Sequence, residues 1–452
     1  MNRTPAYPHD TIVAAATPPG IGGIAVVRVS GERVPDMAMI MLGELPVPRH
    51  ATLSGFRDGE GSLLDRGIAL YFPAPDSFTG EAVLELQGHG GPVVVADLVE
   101  AVVRLGARRA EPGEFSRRAF LNERLDLTQA EAIADLVASG SSQAARAALR
   151  SLSGVFSEAV DTLAECLVRL RMHVEAAIDF PEEEIDFLSD EALMARLREC
   201  ERGFESLLER AAVGRVLTDG YRLVIVGRPN AGKSSLLNLL SGQEAAIVTE
   251  IAGTTRDILR ERINLDGLLV ELVDTAGLRS DPDRIEAEGI RRAFDALKSA
   301  DAVLWIRDAS APTAARDDAC EELPHDVPVI RVLNKIDLTE EPPGRLPTDD
   351  LAVAISARTG AGIDALKALI KQLAGYRDTG EGAFTARRRH VDALERAQGH
   401  FLAGREALER TRAGELLAEE LKYAHRALAE ITGEFTSDDL LGRIFAEFCI
   451  GK

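Results

Sequence analysis

The feature that most constrains this chain is a glycine-containing loop between an apolar run and a helical pattern. The loop is GRPNAGKSS, residues 227–235, and it follows the apolar run LVIV. Between a strand and a helix, a loop of this composition directs successive backbone N–H groups at a phosphate. We therefore predict that Lys233 reaches the β- and γ-phosphates of a nucleoside triphosphate and that the Ser234 hydroxyl binds magnesium.

Further segments, in the same chain order, predict the γ-phosphate side of this site. DTAG, residues 274–277, follows the apolar run LLVELV, so Asp274 ends a strand and the Gly277 N–H is placed to meet the γ-phosphate. Thr254 and Thr255 lie between the loop and this strand, in AGTTRD. Their position predicts a mobile segment whose hydroxyl completes the metal shell.

The base is predicted from NKID, residues 334–337, and ISART, residues 355–359. The Asp337 carboxylate can accept two hydrogen bonds from guanine, whereas adenine offers no such pair of donors. An unmatched buried carboxylate costs roughly 1–3 kcal/mol or more, so the site favours guanine. The sequence therefore predicts a GTPase. Its predicted GTP contacts are Asn230, Ala231, Gly232, Lys233, Ser234, Ser235, Thr249, Glu250, Ile251, Ala252, Gly253, Thr254, Thr255, Asp274, Thr275, Ala276, Gly277, Asn334, Lys335, Asp337, Ser356, Ala357 and Arg358.

Hydrolysis requires groups that the usual motif does not supply here. Ras-type enzymes orient the attacking water with a Gln after DTAG, but this chain has Leu278. The Asn230 amide oxygen, with backbone carbonyls from residues 249–254, is a candidate site for an activating potassium ion; the alternative is that Asn230 braces the loop by hydrogen bonds. The residues alone leave open which acidic group positions the water, among Asp281, Asp283, Glu286 and Glu288.

Composition limits the remaining functions. The 452 residues allow about three domains, of which the GTPase unit fills one. The net charge of −21 argues against a broad phosphate-binding face, and one Trp with 5% aromatic residues argues against a stacking surface for single-stranded nucleic acid. No apolar run approaches 18 residues and the start is polar, so we expect a soluble, cytoplasmic protein without membrane insertion.

Apolar periodicity divides the chain into an α/β multidomain protein. Residues 1–122 predict an α+β domain, with strands in TIVAAAT, GIAVVRVSG, GIALYF and AVLELQGHGG and a helix in PVVVADLVEAVVRLG. Residues 123–217 and 378–452 predict one discontinuous all-α domain. The Ras-like, doubly wound P-loop GTPase domain, residues 218–377, is inserted in it. The segment FCIGK, residues 448–452, reads as a frayed helix end.

Several phrases together resemble one family. They are ATPPGIGGIAVVRVSG, SFTGEAVLELQGHGGPV, PGEFSRRAFLNERLDLTQAEAIADL, the GTPase motifs with AGTTRD, and FCIGK. The chain resembles the tRNA modification GTPase family MnmE, also called TrmE, over nearly its whole length. The GTPase motifs alone fit several relatives, whereas the N-terminal phrases and FCIGK are specific as a set.

The resemblance implies a function in a larger complex. The family forms 5-carboxymethylaminomethyluridine or 5-aminomethyluridine at wobble uridine 34 of certain tRNAs, using a folate one-carbon unit and the FAD-containing partner MnmG, or GidA, in a heterotetramer that binds tRNA. It implies an N-terminal domain that holds a 5-formyl- or 5,10-methylene-tetrahydrofolate and forms a homodimer. It also implies a potassium-stimulated, magnesium-dependent GTPase that is activated when two GTPase domains dimerise.

The resemblance also assigns residues. It implies Asn230, Thr249, Ile251 and Thr254 as potassium ligands, Ser234 and Thr255 as magnesium ligands, Glu286, Lys233 and Thr255 as catalytic groups, and Arg28, Glu85, Arg124 and Lys452 as folate contacts. Arg124 stands where Lys is common in the family, and Ile21, near the implied folate turn, stands where Arg is common. Cys449 is a candidate nucleophile toward C6 of uridine, with a packed structural tail as the alternative.

Two other functions compete with this interpretation. An Era- or Der-like ribosome-assembly GTPase shares the phosphate loop, but it requires a KH-like or second GTPase domain that the sequence does not show. The other is a folate-binding scaffold whose GTPase only regulates assembly.

Overall fold

A computed structural model describes residues 10–179, 191–243, 260–274, 300–311, 327–347, 349–376, 383–435, 438–446 and 448–451. The chain divides into two compact units. The first comprises Met1–Ala134, Leu152–Arg171 and Ala418–Lys452, and the second comprises Asp135–Ser151 and Met172–Leu417.

A six-stranded sheet forms the N-terminal part of the first unit. Its strands run in the order β3-β4-β5-β2-β1-β6, all antiparallel except the pair of β1 and β6. One face is covered by two helices, and their apolar side chains share a core with Val27, Leu84 and Leu86. The elements are β1 Ile12–Ala15, β2 Gly22–Ser30, α1 Val34–Leu42, β3 Thr52–Arg57, β4 Leu63–Phe72, β5 Val83–Gly90, α2 Pro92–Arg104 and β6 Arg108–Arg109.

The four strands and the helix that periodicity predicted in this part are confirmed. Alternation explains β5, because Leu84 and Leu86 are buried whereas Glu85 and Gln87 between them are only half-buried. The pattern missed α1 and β3. In α1 the buried Val34, Met37, Ala38 and Met41 have helical spacing, but the exposed Met39 and Ile40 are also apolar and hide that spacing in the sequence.

Helical structure follows, as the periodicity predicted. The helices are α3 Glu114–Leu121, α4 Leu127–Ala138, α5 Ser142–Leu152, α6 Val155–Asp179 and α7 Glu191–Asp219. In α7 the buried side chains recur at spacings of three and four residues, from Leu193 through Leu197, Cys200 and Phe204 to Leu207. This helix continues to the residue before the Gly220 turn and so leads directly into the next sheet.

A seven-stranded sheet forms the centre of the second unit, in the order β12-β13-β11-β10-β7-β9-β8. The five central strands are parallel, and β8 and β12 pair antiparallel at the two edges. The elements are β7 Tyr221–Val226, α8 Lys233–Gln243, β8 Arg260–Leu265, β9 Leu268–Asp274, β10 Ala302–Asp308, β11 Val329–Asn334, β12 Gly344–Arg345, β13 Ala352–Ala354 and α9 Ile363–Leu373. The predicted doubly wound GTPase fold is therefore confirmed, and the parallel strands present their carboxyl ends at one edge.

Helices return after this sheet as α10 Arg388–Thr411, α11 Gly414–Thr432 and α12 Asp438–Ala446. In the second unit α10 packs on α7, where the rings of Phe204 and Phe401 lie 5.4 Å apart. The domain boundaries given by the sequence remain a prediction. Among the described helices, none is long and apolar enough to cross a membrane.

Candidate functional site

The phosphate loop lies where the sequence placed it, between β7 and α8. Lys233 begins α8 and is buried, and its ammonium donates to the carbonyl oxygens of Gly227 and Arg228, both at 2.9 Å. The side chain thus folds over its own loop, at the positively polarised end of the helix. An anion seated in this loop meets both the ammonium and the helix N-terminus.

Asn334 ties the phosphate loop to the predicted base-binding loop. It is 1% exposed at the end of β11. Its Nδ2 donates to the Ala231 carbonyl at 2.9 Å, and its Oδ1 accepts the Ala357 N–H at 2.9 Å. A Cβ on Gly232 would lie 2.1 Å from the same Nδ2, so the close approach requires glycine there. The sequence predicted Asn334 as a nucleotide contact and did not predict this bridging role.

The predicted guanine-binding group is also in place. Asp337 lies in the short 3-10 turn Ile336–Leu338, where its Oδ1 accepts the Ser356 hydroxyl at 2.7 Å. Ser356 is fully buried, and its hydroxyl also accepts the Thr359 N–H at 3.2 Å. Arg358 Nη1 lies 3.9 Å from the other carboxylate oxygen. The carboxylate is therefore held from one side, with its second oxygen only loosely paired.

Lys335 is fixed beside this turn by a second carboxylate. Its backbone is left-handed, with φ of 68°, and its ammonium donates to Asp308 at the end of β10, at 2.6 Å. Burial raises the pKa of Asp308, but hydrogen bonds from Lys335 and Ser310 outweigh that effect and hold the pKa below its ordinary value. Asp308 is thus ionised at neutral pH. The sequence argument missed it, although its place at the end of an apolar strand was a signal.

The candidate cation ligands in the loop are exposed. Asn230 has φ of 61°, and within the described part of the chain its side chain makes no hydrogen bond. Its amide oxygen is exposed, and both its role as a potassium ligand and the alternative that it braces the loop remain predictions. Ser234, the second residue of α8, and Ser235 are likewise exposed.

Several predicted site residues lie outside the described residues. They are Thr249, Glu250, Ile251, Ala252, Gly253, Thr254, Thr255, Thr275, Ala276, Gly277, Glu286 and Lys452. Asp274 ends β9, beside Ile225 of β7, as predicted from the apolar run before it.

In the first unit, two predicted folate contacts form one cluster. Arg28 and Glu85 are register partners on β2 and β5, and Arg28 Nη2 lies 2.9 Å from Glu85 Oε1. The guanidinium also lies 5.5 Å from the ring centroid of Phe78 and 5.8 Å from that of Phe115. Arg124 is exposed and its stem lies near Gly80, in the same loop as Phe78. The cluster is an aromatic-flanked ion pair suited to a planar polar ligand.

The helix that carries Phe115 is anchored by a buried arginine. Arg118 is 2% exposed and pairs with Asp10 at 2.7 Å, Glu114 at 3.0 Å and Glu81 at 3.1 Å. For both Asp10 and Glu114, burial raises the pKa, but hydrogen bonds and charges from Arg108 and Arg118 outweigh it and hold the pKa below its ordinary value. Sequence reasoning missed this network because its members lie up to 108 residues apart.

A cavity of about 670 Å³ lies next to the turn that joins β1 and β2. It is lined mainly by apolar groups of that turn and of α2, with Arg109 as a charged member; neither Arg28 nor Glu85 lines it. Ile450 lines it from the C-terminal segment. The exposed Ile21 also borders it, at the position where an arginine was expected from the resemblance.

The C-terminal segment packs against the same unit, so the interpretation as a frayed end is wrong for residues 448–451. Phe448 is buried with its ring 5.3 Å from that of Phe445, and the Gly113 N–H donates to the Cys449 carbonyl at 3.4 Å. The Cys449 side chain is a free thiol and is exposed. The tail is thus a fixed part of the cavity region.

The family model for the GTP-binding protein TrmE N-terminus matches residues 11–124, and the MnmE helical domain model matches residues 127–449. The tRNA modification GTPase MnmE of Alkalilimnicola ehrlichii is 56% identical over 443 residues, covering 98% of this chain and 99% of that protein. The chain belongs to the MnmE family of tRNA modification GTPases.

A second full-length relative and one solved structure are also similar to this chain. The MnmE of Pectobacterium carotovorum is 54% identical over 451 residues, covering 98% of this chain and 99% of that protein. Among solved structures, the G domain of the T. maritima FeoB iron transporter is 24% identical, covers 34% of this chain and 98% of its own, and has a TM-score of 0.25. Membership of the MnmE family therefore rests on the family models and on the full-length MnmE relatives. The Era- or Der-like alternative is set aside.

Proposed function

We propose that this GTPase works with an FAD-containing partner to build the carboxymethylaminomethyl or aminomethyl group at C5 of the wobble uridine. The observation that carries this proposal is the C-terminal segment beside the cavity of the first unit. It brings an exposed free thiol, Cys449, into the region where Ile450 lines a space of about 670 Å³. A cavity of this size accommodates a small molecule of the size of a folate.

The residues that line this cavity suit a folate that carries a one-carbon unit. The walls of the cavity are largely apolar, which suits a pterin and an aminobenzoyl ring, and Arg109 offers a cation to a glutamate carboxylate. The ion pair of Arg28 and Glu85 lies outside the cavity wall, and its aromatic-flanked cluster is proposed to hold the part of the folate that extends beyond the cavity. A bound tetrahydrofolate supplies the carbon unit. Arg28, Glu85, Arg124 and Lys452 are the proposed contacts, and Cys449 is the proposed nucleophile toward uridine.

The nucleotide site supports a potassium-dependent switch. Lys233 neutralises charge on the phosphates, and Asn230, which is exposed in a left-handed conformation, offers its amide oxygen to potassium. Thr249, Ile251 and Thr254 are the other proposed potassium ligands, Ser234 and Thr255 the proposed magnesium ligands, and Glu286 the proposed group that positions water. Dimerisation of two GTPase domains is part of the same proposal, as is a homodimer through the N-terminal domain.

The proposal is tested by removing the gene from its host and measuring wobble nucleosides by mass spectrometry. We expect the C5-modified uridine to disappear and to return with the wild-type gene. If the Cys449→Ser gene also restores the modified uridine, the thiol is not the nucleophile, since the serine hydroxyl is a far weaker nucleophile at neutral pH. Unchanged modification after gene removal would refute the function itself.

Folate binding is tested separately by calorimetric titration of the full chain with 5-formyltetrahydrofolate. Glu85→Gln leaves the Arg28 guanidinium without its charged partner and is expected to weaken binding by about tenfold, the cost of about 1.4 kcal/mol. Glu406→Gln, which removes the charged partner of Arg410 on the exposed side of α10, is the matched control. Equal affinity in wild type and Glu85→Gln would contradict the folate assignment.

A further inference from the structure

Tyr376 joins the turn between β8 and β9 to α5. Tyr376 follows α9 and is 8% exposed. Its hydroxyl donates to Gln143 Oε1, in the first turn of α5, and lies 3.4 Å from the carbonyl oxygen of Asp266, in the β8–β9 turn. Three segments that are distant in sequence therefore meet at one hydroxyl group.

The β8–β9 turn is built to fit this hydroxyl. The Gly267 N–H donates to Asn264 Oδ1 at 2.6 Å, and Lys371 of α9 pairs with the Asp266 carboxylate. Gly267 has φ of 98°, and a Cβ there would lie 2.4 Å from the Tyr376 hydroxyl. The turn therefore has no room to accept a side chain at this point without displacing the tyrosine.

Packing joins the hairpin and α5 beyond this contact. Ala147 of α5 is fully buried in the same apolar core as Leu265 and Leu268 of the hairpin. Before α5, a Cβ on Gly140 would lie 3.6 Å from the Leu269 side chain. Because cores are close-packed, a shift of the hairpin must be accommodated by α5.

The two strands of the hairpin are also adjacent in sequence to the predicted γ-phosphate contacts. β8 begins at Arg260, five residues after Thr255, and β9 ends at Asp274, directly before the predicted contacts 275–277. In GTPases the segments around the γ-phosphate rearrange when that phosphate is lost. A rearrangement at either end of the hairpin reaches the turn through a hydrogen-bonded strand pair.

We propose that the β8–β9 turn transmits the nucleotide state of the GTPase sheet to α5, and that Tyr376 is the positioning residue that couples the two. The proposal rests on the GTPase activity of the family and not on folate or the flavoprotein partner. Gln143, which accepts the tyrosine's hydrogen bond, is the residue of α5 through which the change in the turn reaches the helix. The helix α5, which precedes the GTPase strands in the sequence, thereby responds to the bound nucleotide.

The experiment measures hydrogen–deuterium exchange over residues 142–152 in the full chain, saturated with GDP or with the non-hydrolysable analogue GMPPNP. In the wild type we expect exchange to differ about three- to tenfold between the two nucleotides, the factor that one net hydrogen bond provides. Tyr376→Phe should remove this difference while retaining the buried ring. A merely structural role would raise exchange equally in both states and leave the ratio unchanged.

Two further variants keep the test decisive. Tyr423→Phe on α11 removes a hydroxyl bonded to Glu419 at 3.0 Å, and as the matched control it should preserve the wild-type ratio. Gln143→Leu removes the same contact from the α5 side, and it replaces Tyr376→Phe if that variant loses its fold. Equal exchange with both nucleotides in the wild type, or a ratio that survives both Tyr376→Phe and Gln143→Leu, would overturn the proposal.

Discussion

Replacing Asn334 by aspartate should weaken nucleotide binding in a way that depends on pH. The new carboxylate has the shape of the amide and still accepts the Ala357 N–H, but it puts an oxygen where Nδ2 now donates to the Ala231 carbonyl at 2.9 Å. The net loss of that hydrogen bond is about 1 kcal/mol, and leaving the buried Ala231 carbonyl unsatisfied adds about 1–3 kcal/mol. Together these amount to about 2–4 kcal/mol, or a 30- to 700-fold loss of affinity.

This loss of free energy should appear as weaker nucleotide binding, because the phosphate loop of the variant must be re-formed each time a nucleotide binds. Burial beside a carbonyl oxygen raises the pKa of the introduced carboxyl. Its protonated form can donate to Ala231 as the amide does. Affinity is therefore retained below the raised pKa and lost as pH rises through it.

The assay is an equilibrium titration with a fluorescent GDP analogue at about pH 5.5 and about pH 8, on either side of a carboxyl pKa raised by burial. Asn334→Ala is the matched control, since it removes both contacts and has no group to titrate. We expect Asn334→Asp to recover relative to Asn334→Ala at the lower pH. An affinity within twofold of wild type at the higher pH, or an equal deficit of both variants at both pH values, would refute the reasoning.

Four other predictions concern the nucleotide site and the Arg118 network. GTP hydrolysis should be much faster in potassium than in sodium, because Asn230 offers an open amide oxygen and Leu278 cannot orient water; equal rates in the two salts would contradict this. Asp337→Asn should weaken GTP and favour xanthosine triphosphate, whose extra carbonyl requires a donor, and competition binding would disprove the assignment if GTP affinity were unchanged. Arg118→Met should lower the free energy of unfolding by about 3–5 kcal/mol, because Asp10, Glu81 and Glu114 lose a buried partner, and urea unfolding with a loss below about 1 kcal/mol would exclude that role. In the same network the depressed pKa values of Asp10 and Glu114 stabilise the fold above their unfolded values of about 4, and that stability is lost as pH falls below them.

The sequence predicted those parts of the fold and site that depend on local order. A phosphate loop between strand and helix, a strand ending at Asp274 and a turn carrying Asp337 are each written in short segments, and the structure has them there. The main strands of the N-terminal sheet were equally readable from alternation. These elements share one property, which is that their signal lies within about ten residues.

The features that were missed depend on residues brought together by the fold. Asn334 joins two loops that lie 103 and 23 residues away from it, and nothing in NKID indicates which atoms it will meet. Arg118 is an ordinary helix-surface arginine by pattern, yet three carboxylates allow it to be buried. The docked tail was missed for a related reason, since Phe448 finds its aromatic partner only in the assembled unit.

The first unit is assembled from segments that are far apart in the sequence, and this affects how it folds during synthesis. Its segments Met1–Ala134 and Leu152–Arg171 precede the longer segment of the second unit, Met172–Leu417, whereas Ala418–Lys452 follows it. About 250 residues are thus translated between them, which takes about 12–50 s at the usual rate of about 5–20 residues per second. During that interval Leu127 and Ala130 lack Phe445 and Phe448, which later complete their apolar cluster. The nascent protein is therefore expected to need protection by a chaperone at this surface until the C-terminal helices emerge from the ribosome.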